Sequence, residues 1–127
     1  THPYADYKAH IVLGVIYSPV KGIDERRCYS LDQLDQIISV VKDFDFFVQE
    51  KWKIAIDRPG SGNTKNIGSV NRIDDLLNGN GPFAALGEEM FDDYWTHYLT
   101  NDMAKAAELT EPYYKNLPEY KRFKNIE

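Results

Sequence analysis

The chain has 127 residues, 43% of them hydrophobic, and a net charge of −5 at pH 7. That is enough apolar material to bury the core of one compact domain, while the single cysteine, Cys28, rules out an internal disulfide. No apolar run is long enough to span a bilayer or serve as a secretory h-region, and the acid excess weighs against nucleic acid unless the basic residues are segregated.

"THPYADYK" reads as the middle of a protein, so a single domain or a fragment over residues 1–127 is expected, in a reducing compartment. "PYADYKAH" is a candidate helical turn, and "IVLGVIY", residues 11–17, has the length and β-branching of a strand buried on both faces. Pro19 and Gly22 end it. From Ser30, "SLDQLDQII" places apolar residues at 31, 34, 37 and 38 behind a serine N-cap, predicting a short helix. "FDFFVQ" and "WKIAI" flank Glu50 and Lys51 and read as a hairpin, with Trp52, Ile54 and Ile56 on one face of its second strand.

The second strand runs into "DRPGSGNTKNIGSVNR", residues 57–72, with three glycines, three asparagines, two serines and a threonine. "SVNRIDDLL" then predicts a helix capped by Ser69 and closed by "NGNGP". In "ALGEEMFDDYWTHYL", Leu86, Met90, Phe91, Tyr94, Trp95, Tyr98 and Leu99 form one helical stripe, predicted to pack in the core, opposite a solvated acidic face. Further helix is expected near 103–108 and 118–124.

Most familiar chemistry is missing. His2, His10 and His97 lack paired ligand spacing, and Cys28 has no CxxC partner, so neither a transition-metal site nor a catalytic thiol is supported. The loop around Gly60 fails the P-loop pattern, because Lys65 follows Thr64 rather than a glycine. It also fails the dinucleotide fingerprint, since Lys65 stands where the third glycine belongs.

What the loop does hold suits DNA. Asn63 can bond adenine bidentately, the Thr64 methyl can meet a thymine methyl, and glycines permit close approach of backbone to base edges. Between Lys51 and Arg72 the charges are Lys51, Lys53, Arg58, Lys65 and Arg72 against Asp57, a local net of +4. The tail from Pro112 interleaves four basic residues with four aromatics. Turn chemistry explains most of the same residues, so on physics alone a plain polar loop stays ahead of a base reader.

"QEKWKIAIDRPGSGNTKNIGS" resembles the recognition-loop region of the EcoRV-like type II restriction endonucleases of the PD-(D/E)xK superfamily. "YKAHIVLGVIYS", "YSLDQLDQI", "DDYWTHY" and "LPEYKRF" extend the similarity over essentially the whole chain. The resemblance implies an α/β (α+β) fold, the C-terminal part of a restriction-endonuclease-like architecture with mixed sheet strands and flanking helices. It further implies a magnesium-dependent cytoplasmic enzyme of a restriction–modification system, a homodimer cutting double-stranded DNA at a short palindrome, with GATATC as the candidate.

Carried over by position, Gly60, Gly62, Asn63 and Thr64 would read bases, while Ser61, Lys65, Asn66, Tyr98 and Lys105 would approach the DNA backbone. Lys65 replaces a threonine of the family pattern and Thr100 an arginine, and "PFAALGEEMFDDYW" is two residues longer than its counterpart. The catalytic aspartate and the later Asp-x-Lys belong upstream in that pattern, so no catalytic or metal-binding residue is assigned here, and the Mg2+ ligands are expected outside these residues. Asp6-Tyr7-Lys8 and Glu119-Tyr120-Lys121 match the spacing only by chance. The rival expectation is a non-catalytic, sequence-specific DNA-binding protein that retains only the loop.

Overall fold

A computed structural model describes residues 7–24, 26–60 and 66–126. The expected turn at "PYADYKAH" therefore lies partly outside the described residues, and residues 7–10 carry no helix. The fold is α+β, with two separate two-stranded sheets and five α-helices among the described residues. The chain divides into two compact units, Leu13–Phe47 and the chain on either side of it.

The smaller unit is built on β1 (Ile11–Pro19) and β2 (Val41–Glu50), which pair with each other. A 3-10 helix, Leu31–Gln36, lies between them in sequence, and the backbone N–H of Ser30 at its N-cap donates to Gln33 Oε1 at 3.3 Å. The strand and the helical turn form as expected, but their burial differs. Ile11, Leu13, Val15 and Tyr17 are exposed along one face of β1, as are Leu31, Leu34, Ile37 and Ile38. No described residue of this unit is fully buried. A two-stranded sheet has too little material to cover both of its own faces, so β1 is not buried on both sides here.

The hairpin expected from "FDFFVQ" and "WKIAI" does not form. Residues Lys51–Ile54 make a single helical turn, α1, and only Ala55–Pro59 is strand, β3. β3 pairs antiparallel with β4, Ile67–Ser69, so the hairpin present is the one whose strands are joined in sequence by the glycine-rich segment. Ala55 pairs with Ser69 and Pro59 with Ile67, leaving β3 bulged by two extra residues between those pairs.

The helices follow. α2 is Ile73–Asn78, with Arg72 rather than Ser69 at its N-cap, and it ends at Gly79 in the left-handed conformation (φ 67°) that glycine adopts without strain. α3, Glu88–His97, buries Phe91, Tyr94 and Trp95 as its stripe predicts. α4, Asn101–Ala106, is capped by Thr100 Oγ1, which accepts from Met103 N at 3.3 Å. α5, Leu117–Lys124, is capped by Asn116 Oδ1, which accepts from Glu119 N at 2.9 Å.

The core of the larger unit gathers on Tyr94. Its ring meets Phe83, Trp95, Tyr98, Tyr114 and Tyr120 at centroid separations of 5.0–5.7 Å. Each such pair adds about 0.5–1.5 kcal/mol beyond area burial. Buried tyrosines need partners for their hydroxyls, and these have them: Tyr94 donates to Asp57 O and Tyr114 to Tyr94 O, both at 2.6 Å, and Tyr120 donates to Asp93 Oδ2. Burial raises the pKa of all three tyrosines.

Candidate nucleic-acid interface

Local sequence explains how the loop is presented. β3 and β4 rise as its two stems and meet at a neck where Gly60 N donates to Asn66 O at 2.9 Å. Gly60 and Asn66 are both exposed at this neck. Ser61, Gly62, Asn63, Thr64 and Lys65 lie outside the described residues. Below the neck the strands come very close: a Cβ on buried Gly68 would stand 2.6 Å from Arg58 O and 2.6 Å from Ile56 Cγ1. A Cβ on Gly60 would meet Gly68 Cα at 3.1 Å. Glycine is thus needed at the neck for packing, apart from any contact of its backbone with a ligand.

Each stem is held by hydrogen bonds to residues elsewhere in the chain. On the β4 side, Lys51 is only 7% exposed, and its Nζ donates to Ile67 O at 2.8 Å and Ser69 Oγ at 2.7 Å, with Gly68 O at 3.4 Å. Desolvation lowers the pKa of this ammonium. On the β3 side, Asp57 Oδ2 accepts from Leu117 N at 2.9 Å, at the first turn of α5, while its carbonyl accepts from Tyr94. A carboxylate there satisfies one of the helix's unpaired N–H groups and faces the positive end of its dipole.

These contacts revise the basic strip. Lys51 spends its charge inside the protein and is not available to a phosphate. Lys53 pairs with Glu50, and Arg72 lies 3.8 Å from Asp75, while Arg58 is exposed on β3. The basic and aromatic tail is likewise mostly structural: Tyr114 and Tyr120 are core, Tyr113 stacks on Phe123 at 5.5 Å, and Lys124 donates to Asp93 Oδ1 at 3.1 Å. Burial alone would raise the Asp93 pKa, but hydrogen bonds from Lys124 and Tyr120 take it below the usual value. The acidic face of α3 is therefore not simply solvated, although Glu88 and Glu89 are exposed.

Of the remaining candidates, Tyr98 sits at the C-cap of α3, half-buried, with its ring 4.8 Å from that of Trp95. Burial raises its pKa, and the charge of Asp57 adds to the effect, which places Tyr98 within electrostatic reach of the β3 stem. Lys105 is exposed on α4. Thr100 serves as the N-cap of α4.

Other chemistry finds no support. Cys28 is exposed with its Sγ 3.8 Å from Arg26 O. Glu119-Tyr120-Lys121 lies on α5, where Glu119 belongs to the helix cap, and Asp6 lies outside the described residues. Among the described residues no three His, Cys, Asp or Glu side chains gather as a metal site, and no helix is long and apolar enough to cross a membrane.

Sequence reasoning missed Lys51 and Asp57. The signal for Lys51 was its i, i+3 spacing to Ile54, which a helical turn puts on one buried face.

A glycine-necked loop on a hairpin, braced by helices of an α+β domain, is the kind of element through which a protein reaches into a nucleic-acid groove. Residues 1–125 match the family described as restriction endonuclease EcoRV, and the chain belongs to that family. It is 34% identical over 124 residues to the type II restriction enzyme EcoRV of Escherichia coli, an alignment covering 96% of this chain and 48% of that protein. The chain thus spans about half the length of this relative.

Proposed function

We propose that this chain is the DNA-reading part of a type II restriction endonuclease, whose complete form hydrolyses phosphodiester bonds at a short palindrome, with GATATC as the candidate site. Supporting this is one observation above all: within a chain of the EcoRV family, "GSGNT" falls in the sequence segment that joins the two strands of a hairpin whose neck, Gly60 and Asn66, is exposed and whose stems are held by bonds to the rest of the domain. In this reading Gly60 and Gly62 offer backbone groups to the bases, Asn63 bonds a base edge with its amide, and Thr64 supplies a methyl contact. Ser61, Lys65, Asn66, Tyr98 and Lys105 engage the sugar-phosphate backbone, which fixes register without carrying sequence information.

Two copies related by a two-fold axis would present one loop to each half-site of the palindrome. Hydrolysis would use Mg2+, which polarises the phosphate and activates water when bound. The residues described here do not form a site for it. Its ligands are assigned to other residues of the complete protein, which would be cytoplasmic.

The full-length gene product, incubated with plasmid and Mg2+, is expected to give discrete fragments defining one palindrome. Sequence-independent nicking would refute the reading. Tight site-specific binding without cleavage would replace it with a non-catalytic DNA-binding protein.

A further inference from the structure

Every buried charge has to be accounted for, and the Lys51 ammonium is not explained by stability. Its desolvation is expensive, and an apolar side chain of similar volume in such a place is commonly neutral or stabilising. What the ammonium does instead is bind three consecutive positions of one short strand, Ile67, Gly68 and Ser69, which begins one residue after the loop's neck. An aliphatic side chain could fill the space but could hold none of these oxygens.

The other stem is held at its middle residue, Asp57, fixed through both its carboxylate and its carbonyl to α5 and α3. Between these anchors the neck closes with the bond from Gly60 N to Asn66 O. The two strands that flank residues 61–65 in sequence are thus each pinned to the rest of the domain. Base readout demands placement to within about 0.5 Å, and a loop reaches that only if its supports are locked.

We propose that Lys51 is the positioning residue of the recognition loop: by clamping β4 at Ile67, Gly68 and Ser69 against a β3 stem fixed by Asp57, it sets the geometry in which the loop meets base edges. It touches no DNA itself. The proposal rests on the DNA-reading function above and adds that discrimination, rather than overall affinity, depends on a buried lysine beneath the loop.

The test uses the full-length protein and the duplex that the wild type selects from a randomised pool, against a scrambled duplex of the same composition. Lys51→Met is expected to stay folded, with a melting temperature close to that of the wild type. Its preference for the selected duplex should fall at least tenfold while binding to the scrambled duplex changes less than about twofold. Lys51→Arg, which keeps a cationic donor, should recover part of the preference. Ser69→Ala removes one of the clamped oxygens without touching the lysine, and should give an intermediate loss, which also covers the case in which Lys51→Met does not fold. Amide hydrogen exchange at residues 67–69 should quicken in Lys51→Met, a readout that needs no DNA.

Preference unchanged in both Lys51→Met and Ser69→Ala, or exchange at residues 67–69 unchanged in Lys51→Met, overturns the clamp while leaving the DNA-reading function intact. Equal losses on both duplexes overturn it too, by reducing Lys51 to a general support of the fold. If the wild type selects no sequence, the DNA-reading function fails, and the proposal with it.

Discussion

Gly68→Ala tests the geometry of the loop's stem most directly. The added methyl would lie 2.6 Å from Arg58 O and 2.6 Å from Ile56 Cγ1. A carbon in ordinary contact with an atom of another residue stands about 3.5–4.0 Å away, so the overlap approaches an ångström on two sides. The Ile56 side chain can rotate, but Arg58 O is backbone within β3. Relief must come from spreading β3 from β4, which loosens the bond closing the neck. Overpacking of this kind costs about 1–3 kcal/mol. For a chain of this size that lowers Tm by about 4–12 °C. Gly60→Ala is the internal control, because among the described residues its methyl's one tight contact would be Gly68 Cα, at 3.1 Å, relieved by a shift of a few tenths of an ångström. Its expected cost is about one quarter to one half of the other. Thermal melts followed by circular dichroism check both. Gly68→Ala melting within 1 °C of the wild type, or Gly60→Ala proving the worse of the two, would refute the close approach of the strands.

Asn63→Ala should abolish sequence discrimination and leave weak general binding, whereas Lys65→Ala should weaken binding to all sequences and flatten its salt dependence; filter binding over a salt series separates them. Asp57→Ala leaves Leu117 N without its carboxylate and should cost about 0.5–2 kcal/mol by urea unfolding, a loss that Asp57→Asn partly restores by supplying an amide oxygen. Tyr94, Tyr98, Tyr114 and Tyr120 all have pKa values raised by burial, so the folded chain holds their protons more tightly than the unfolded chain. The stability this gives is complete below about pH 10 and falls as pH rises from there toward the folded values. Alkaline unfolding should therefore coincide with a rise in tyrosinate absorbance, and ionisation of these tyrosines near pH 10 with the fold intact would contradict their burial.

The parts of the fold legible in the sequence are those with enough length to fix a period. The stripe from Leu86 to Tyr98 repeats through several turns, and no strand register would put Phe91, Tyr94 and Trp95 on one face, so α3 and its aromatic core follow directly. "WKIAI" offers only five residues. Trp52, Ile54 and Ile56 alternate as in a strand, while Lys51 and Ile54 equally share a helical face, and burial beneath β4 selects the helical turn. β1 illustrates a different limit. Its apolar residues correctly signal a strand, but a run apolar on both faces says what the strand can bury, not what lies against it. Ile11 and Leu13 remain 54% and 69% exposed.

The same distinction governs the site. Composition singled out "GSGNT" as able to read bases, because amides, methyls and glycine backbone suit base edges, yet it left a plain polar loop ahead, and only the family resemblance assigned the role. The frame beneath it is written differently. Asp57 meets Leu117 across sixty positions, and Lys51 meets Ser69 across eighteen, through bonds that exist only once β3 has paired with β4 and α5 has docked. From sequence, both counted as charges in a surface strip, one acid diluting a row of cations. The burial of Lys51 and the internal bonds of half-buried Asp57 reverse that assignment: part of the +4 lies within the hairpin's stems rather than facing a phosphate. In the proposed reading, attraction for DNA would fall mainly to Arg58 and Lys65, while Lys51 would bear on which DNA is preferred. A charge count cannot separate those two roles, because it records how many ammonium groups there are and not which of them still face water.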